Sequence, residues 1–154
     1  MTYSGGIIMN RNKATLAPYI MVLFALLGIA DAFYDSYTIY NSNMLWCPES
    51  LNGCNTVANS PYGRIFDIPL GYFGLIFYLY MFVLAALLAY DPSSRGLRLG
   101  ALLYTAVGVS SSTYFIYLEV AFIHAFCIYC LISAVLTLFL FIAAVAHFRA
   151  ARRQ

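Results

Sequence analysis

The chain has 154 residues, 63% of them hydrophobic and 9% charged, with a net charge of +2 and a mean hydropathy of +0.80. A soluble domain of this size carries about a quarter charged residues, so the composition excludes an ordinary water-soluble globule. The eight basic residues form no basic face of the kind that binds nucleic acid, and there is neither an internal repeat nor a low-complexity tract. The expectation is an all-α integral membrane protein with a single membrane domain over residues 1–154.

In chain order, the first apolar stretch runs from Ala17 to Ala30 and continues as helix through the Tyr-rich Asp31–Tyr40, giving a span over about residues 17–38. Its 14 uninterrupted apolar residues fall short of the roughly 20 that cross a bilayer as helix. A basic flank, a short apolar core and the small-residue pattern Ala30-Asp31-Ala32 also fit a cleaved signal peptide, which would leave three spans and the same outward loop. A polar connection follows over residues 39–67. Spans of adequate length come next, over residues 68–90, 99–118 and 126–148.

Charge sets the orientation. Arg11 and Lys13 precede the first stretch, Arg95 and Arg98 follow the Asp91-Pro92-Ser93-Ser94 turn, and Arg149, Arg152 and Arg153 follow the last span. If all four stretches span, seven of the eight basic residues lie on one side, and only Arg64 lies on the other. Positive residues stay inside. Both termini and the 91–98 loop are therefore expected in the cytoplasm of a multi-pass cell-membrane protein, with the 39–67 loop and the 119–125 turn outside.

All four cysteines then fall outside, where disulfides persist. Cys47 and Cys54 lie in the loop, and Cys127-Ile128-Tyr129-Cys130 opens the fourth span. A structural reading makes both pairs simple loop bridges in a non-enzymatic membrane protein. A zinc site is a second alternative, although a six-residue gap beside a membrane helix fits it poorly. The C-x-x-C spacing favours redox work. Both sulfurs would sit in the first turn of an inward-running helix, whose positive end stabilises thiolate and so makes a better leaving group. Two dithiols at different heights suggest a relay. With no G-x-G-x-x-G and no C-x-x-C-H (Leu131 follows Cys130), the natural electron sink is a lipid-soluble quinone rather than a metal.

These residues resemble the vitamin K epoxide reductase family, in its bacterial and archaeal branch. The likeness rests on Cys47 and Cys54, on Ser60 six residues later, on Ile68-Pro69-Leu70-Gly71-Tyr72-Phe73-Gly74, and on Cys127-Ile128-Tyr129-Cys130, together covering about residues 15–148. It implies a four-transmembrane-helix bundle around a quinone of the ubiquinone or menaquinone type, capped by an outer loop with a short helix. It implies that Cys47 exchanges with a thioredoxin-like extracytoplasmic protein, that Cys54 attacks Cys127, and that Cys130 lies nearest the quinone. That partner is expected to be separate, since the chain ends at Gln154. Ser60 matches a serine placed near the ring, or else caps a helix. Leu70 and Ala134 stand where vertebrate members have Asn and Tyr, which argues against vitamin K epoxide as substrate. A protein of the DsbB type shares the chemistry but carries its C-x-x-C in the first outer loop.

Other polar residues have two readings each. Asp31 and Asp35 share one helical face and either mark the membrane exit or steer a proton or a partner. Glu119 and His124 bracket the outer turn, where His124 would tune Cys127, carry quinone protons or simply be solvated. Tyr114, Tyr117 and Tyr129 line a quinone pocket or belong to an interfacial aromatic belt. Trp46 docks a partner or anchors the loop in headgroups.

Overall fold

A computed structural model describes residues 4–41, 44–47 and 53–152, with the side chains of 16–41, 44–47 and 53–150. The side chains of Arg11, Lys13, Arg152 and Arg153, and residues 48–52 of the loop, lie outside that description. Four long helices carry the chain: α1 (Ser4–Tyr40), α3 (Leu70–Tyr90), α4 (Arg95–Leu118) and α5 (Ile128–Arg152). The short helix α2 (Cys54–Asn59) and a two-stranded hairpin, β1 (Arg64–Ile65) and β2 (Ile68–Pro69), lie between α1 and α3. Four helical segments are long and apolar enough to cross a bilayer: Leu16–Tyr40, Leu70–Tyr90, Arg95–Ile123, which runs past the end of α4, and Ile128–Ala150.

The short first stretch is a full member of the bundle. No turn signal interrupts it after Ala30, so the helix runs on to Tyr40, and its hydroxyls bond back to its own backbone: Ser36 Oγ donates to Ala32 O at 2.7 Å and Thr38 Oγ1 to Tyr34 O at 2.8 Å. Lipid offers no such partner, which is why hydroxyls in a span turn inward to the backbone. The expected 119–125 turn is partly helical. Glu119–Ile123 continues α4 as one wide π-turn, and His124 ends it in the left-handed conformation (φ 55°). The apolar run Val120–Ile123 carries no breaker, so the helix winds on until His124 stops it.

Helix α1 packs on α3 and α5, and α4 closes the ring against both. The shared core contains Met21, Ala25 and Ala32 of α1, Tyr78, Met81 and Leu88 of α3, Ala101 of α4 and Leu140 of α5. The small residues on α1 let the helices approach closely, as membrane packing requires. At Gly28 a Cβ would run into the Tyr78 ring. That ring is fully buried, and its hydroxyl reaches Ser133 O (2.7 Å), Ser133 Oγ (2.9 Å) and Thr137 Oγ1 (3.0 Å). Large apolar side chains such as Leu23, Val83, Leu87 and Phe139 are exposed, the pattern of a lipid-facing surface.

The hairpin turn places Phe66 (φ 52°) and Asp67 (φ 64°) in succession at positive φ, as a two-residue hairpin connection demands. Asn-Gly is the usual sequence there, so this turn is strained.

Gly28→Val is expected to destabilise the bundle by about 2 kcal/mol or more through overpacking against Tyr78. Gly100→Ala, in α4 with nothing within 4 Å of the added methyl, is expected to stabilise it by ~0.5–1 kcal/mol. Thermal unfolding in one detergent reads both, as a lowered and a raised Tm; the same Tm for the two variants would contradict this packing.

Candidate dithiol site

The segment carrying Cys47 is tied to α2 by one side chain. Asn55 accepts from Leu45 N–H (3.0 Å) through Oδ1 and donates through Nδ2 to Leu45 O (3.3 Å). A disulfide joins Cys47 to Cys54, the first residue of α2, with Cα atoms 6.4 Å apart. The assembly lies on the start of α5. Tyr129 of the C-x-x-C donates its hydroxyl to Trp46 O at 2.7 Å. Gly53 lies flat against the chain before Cys127, where a Cβ would come within 2.6 Å of Phe126 O and 2.7 Å of Phe126 N. Only glycine permits that approach.

Leu45, Cys54, Val57 and Cys127 form one buried cluster, against which Cys47 and Cys130 pack. All four cysteines therefore meet at one end of the bundle. Cys54 and Cys127 are buried, Cys47 is half-buried at the outside, and Cys130 lines the interior cavity. Cys127 and Cys130 are thiols. The expected first-turn placement is met by Cys130; Cys127 stands one residue before α5, and its carbonyl accepts the helix's first bond, from Leu131 N–H at 3.1 Å.

Electrostatics differentiate the pair. The Cys130 thiol, hydrogen-bonded to the Cys127 sulfur, holds the Cys127 thiol below its ordinary value; burial opposes this, the Cys130 backbone N–H reinforces it, and the Asp35 and Glu119 carboxylates oppose it. Glu119 is 2% exposed. Its Oε2 accepts the Cys127 N–H at 3.2 Å, and the same carboxyl meets the Cys130 side chain. A low-pKa sulfur beside a second sulfur is the arrangement thiol–disulfide exchange uses.

Below the sulfurs opens a cavity of about 660 Å³, within the range of small-ligand sites. Its walls are chiefly apolar, with Phe73, Phe77 and Phe115 among them, and its polar groups include Cys130, Asp31, Asp35 and Ser111. Gly71, Gly74 and Gly108 also line it, and Gly71 and Gly108 let the helices close in, since a Cβ would run into Asp35 and Ser36 at the first and Phe77 and Thr137 at the second. A flat, mostly apolar ring with polar edges fits these walls.

Of the residues singled out in the sequence, Tyr114 lines the cavity, as do Tyr129, Asp31 and Asp35. Tyr117 does not; it is exposed and packs edge-on against Phe122. Ser60 is not a lining residue either: its Oγ donates to Val57 O (2.7 Å) and accepts from Gly63 N–H (3.1 Å), closing the end of α2. His124 is exposed. The loop bridge leaves no thiolate at Cys47 and Cys54 for zinc, and among the described residues no three metal-ligating side chains converge. Sequence reasoning gave no role to Gly53, Asn55 or the carboxyl of Glu119. Glu119 alone carried a signal, as an acidic residue near the outer end of an apolar span and eight before Cys127.

Residues 19–145 match the model of the vitamin K epoxide reductase family. The chain is also similar to the thiol-disulfide oxidoreductase LTO1 of Arabidopsis thaliana, with 31% identity over 121 residues that make up 75% of this chain and 32% of that protein. It thus spans about a third of the length of that relative. A four-helix membrane bundle with two cysteine pairs gathered over an apolar cavity agrees with both comparisons, and the chain belongs to the vitamin K epoxide reductase family.

Proposed function

We propose that this protein takes two electrons from a thioredoxin-like extracytoplasmic protein, passes them from the Cys47–Cys54 pair to Cys127–Cys130, and delivers them to a quinone of the ubiquinone or menaquinone type, so generating disulfide bonds. The observation that carries this reading is the grading of four sulfurs in one cluster, from half-buried Cys47 to Cys130 on the cavity wall. A pair of structural bridges needs no thiols and no cavity.

The steps follow from that order. A partner thiolate attacks Cys47, and the Cys54 sulfur leaves with the bonding pair; the partner's second thiol then releases it as a disulfide. With the C-x-x-C bridged, the Cys54 thiolate attacks Cys127, and the Cys130 sulfur leaves with the bonding pair. Cys47 next attacks Cys54 and frees Cys127. This re-forms the loop bridge and leaves Cys127 and Cys130 as thiols, the state of the structure. A quinone bound beneath Cys130 supplies a two-electron, two-proton acceptor. Phe73, Phe77 and Phe115 would flank its ring, and Asp31, Asp35 and Ser111 offer polar contacts. Leu70, also in the wall, gives only an apolar contact, which favours plain quinone reduction over epoxide chemistry.

The sidedness rests on charge. Arg95, Arg98 and Arg149 belong to the ends of α4 and α5 away from the cysteines. Basic residues favour the cytoplasm, so the cysteine end faces outward and both termini inward.

Purified protein given a reduced thioredoxin-like protein should reduce ubiquinone or menaquinone, followed by the quinone's ultraviolet absorbance. Cys130→Ala should lower the rate by about a hundredfold or more, and an unchanged rate would sink the proposal. Cys47→Ala should impair partner oxidation while a small dithiol still opens the Cys127–Cys130 bridge; equal loss with both reductants contradicts the order of the pairs. A pH titration provides the second check. A thiol below its ordinary value keeps its thiolate down to lower pH, so Cys127 should ionise below the ~8.5 of free cysteine, read by thiolate absorbance. Removing the Cys130 sulfur, the largest lowering influence, should move that midpoint upward.

A further inference from the structure

Glu119 stands apart from the other acidic residues. It is an ionisable side chain 2% exposed at the end of a membrane helix. Oε2 accepts the Cys127 N–H. Oε1 is buried with no nitrogen or oxygen partner among the described residues. The polar side chain that meets this carboxyl is the Cys130 thiol. A buried carboxyl oxygen without a donor is costly, unless it carries a proton itself or receives one from a neighbour.

The local backbone is arranged to hold it there. The π-turn and left-handed His124 fold residues 119–125 back on themselves, with Ala125 N–H donating to Glu119 O at 3.4 Å. Glu119 thereby holds the chain entering Cys127 at two points, through its carbonyl and through its carboxyl. An ordinary α-helical ending would not bring residue 119 back to the C-x-x-C.

We propose that Glu119 is the proton-exchanging group of the C-x-x-C: it gives its proton to the Cys130 sulfur when the Cys127–Cys130 bridge opens and takes it back when the bridge closes. This inference rests on the redox reading of the C-x-x-C given above. When a thiolate attacks Cys127, a new sulfur–sulfur bond forms at Cys127 and the Cys127–Cys130 bond breaks. Its electron pair stays on Cys130, the Glu119 proton moves to that sulfur, and a carboxylate remains. Closure is the reverse: the Cys130 proton returns to Glu119, and the thiolate expels the attacking sulfur from Cys127. No outside oxidant enters either step. Without a proton donor at hand, Cys130 would have to leave as a bare thiolate beside an apolar cavity. General acid–base help of this kind is typically worth about 10²–10⁴ in rate.

Other ionisable groups surround the pair and share its titration. Asp35 of α1 and Tyr129 of α5 both act on or beside Cys127, Asp31 lies a turn from Asp35, and Cys54 of α2 is held in its bridge. None of these carboxyls accepts the Cys127 N–H, which goes to Glu119.

The test uses a small dithiol and no partner or quinone. The opening rate of the Cys127–Cys130 bridge is measured against pH in the wild type and in Glu119→Gln, which keeps the acceptor for Cys127 N–H but holds no exchangeable acid. Glu119→Gln is expected to open at least about tenfold more slowly at neutral pH and to lose the limb of the pH profile in which a protonated carboxyl assists. Equal rates and superimposable profiles would overturn the proposal. If the wild-type bridge is itself not opened by dithiol, the redox reading fails instead. A redox-difference infrared spectrum of the wild type gives an answer that does not depend on how the variant folds. It should show a protonated-carboxyl band in the bridged form that disappears on reduction, and a spectrum without such a change would equally overturn the assignment.

Discussion

Thiol–disulfide exchange proceeds only when sulfurs touch, and the seating of the Cys47–Cys54 bridge on the first turn of α5 is the contact that the rest of the structure serves. Three side-chain or backbone features among the described residues fix it. Asn55 brackets Leu45, Tyr129 holds Trp46 O, and Gly53 lets the loop lie flat on Phe126. Around them Leu45, Val57 and the cysteines exclude water. Apolar burial supplies most of the attraction, at roughly 25 cal/mol per Å², while the hydrogen bonds fix where on α5 the loop sits.

The bundle beneath solves a different problem. In lipid every backbone and hydroxyl group must be satisfied within the protein. Ser36, Thr38 and Thr105 bond back to their own helices, and Tyr78 gathers Ser133 and Thr137. The polar side chains left for other work, Asp31, Asp35, Cys130 and Glu119, sit at the cavity or at the sulfurs. Intramembrane ionisable groups are rare and tend to be functional, and these three carboxyls collect at the cysteine end of the bundle. Small residues make room for both tasks: Gly28 admits the Tyr78 ring, and Gly71 lies directly against the Asp35 carboxyl and Ser36 Oγ.

Much of this was legible in the sequence, because hydropathy and charge report directly on the solvent a segment meets. The spans, and the shared location of four cysteines, follow from apolar runs and arginine positions. The short first stretch was the weak point, since Asp31 and Asp35 interrupt its hydropathy; they are tolerated because they face the cavity rather than lipid. What stayed illegible depends on backbone conformation and tertiary approach. Nothing in Glu119–Ile123 announces a π-turn, and nothing in Phe66-Asp67 announces two residues at positive φ. Gly53 reads as loop punctuation until Phe126 is seen against it. Ser60 illustrates the opposite limit: its resemblance to a serine that the family places near the ring implied a cavity contact, but its hydroxyl is engaged locally at the end of α2, the helix-cap alternative.

The central claim is that the two pairs are close enough to exchange, through Cys54 and Cys127. The double variant Cys47→Ala, Cys130→Ala leaves those two sulfurs alone, and mild oxidation followed by mass mapping of disulfides tests their contact directly. A Cys54–Cys127 bridge within one chain is expected, formed in most of the protein. Recovery of both cysteines as thiols, or bridged only between chains, would contradict it.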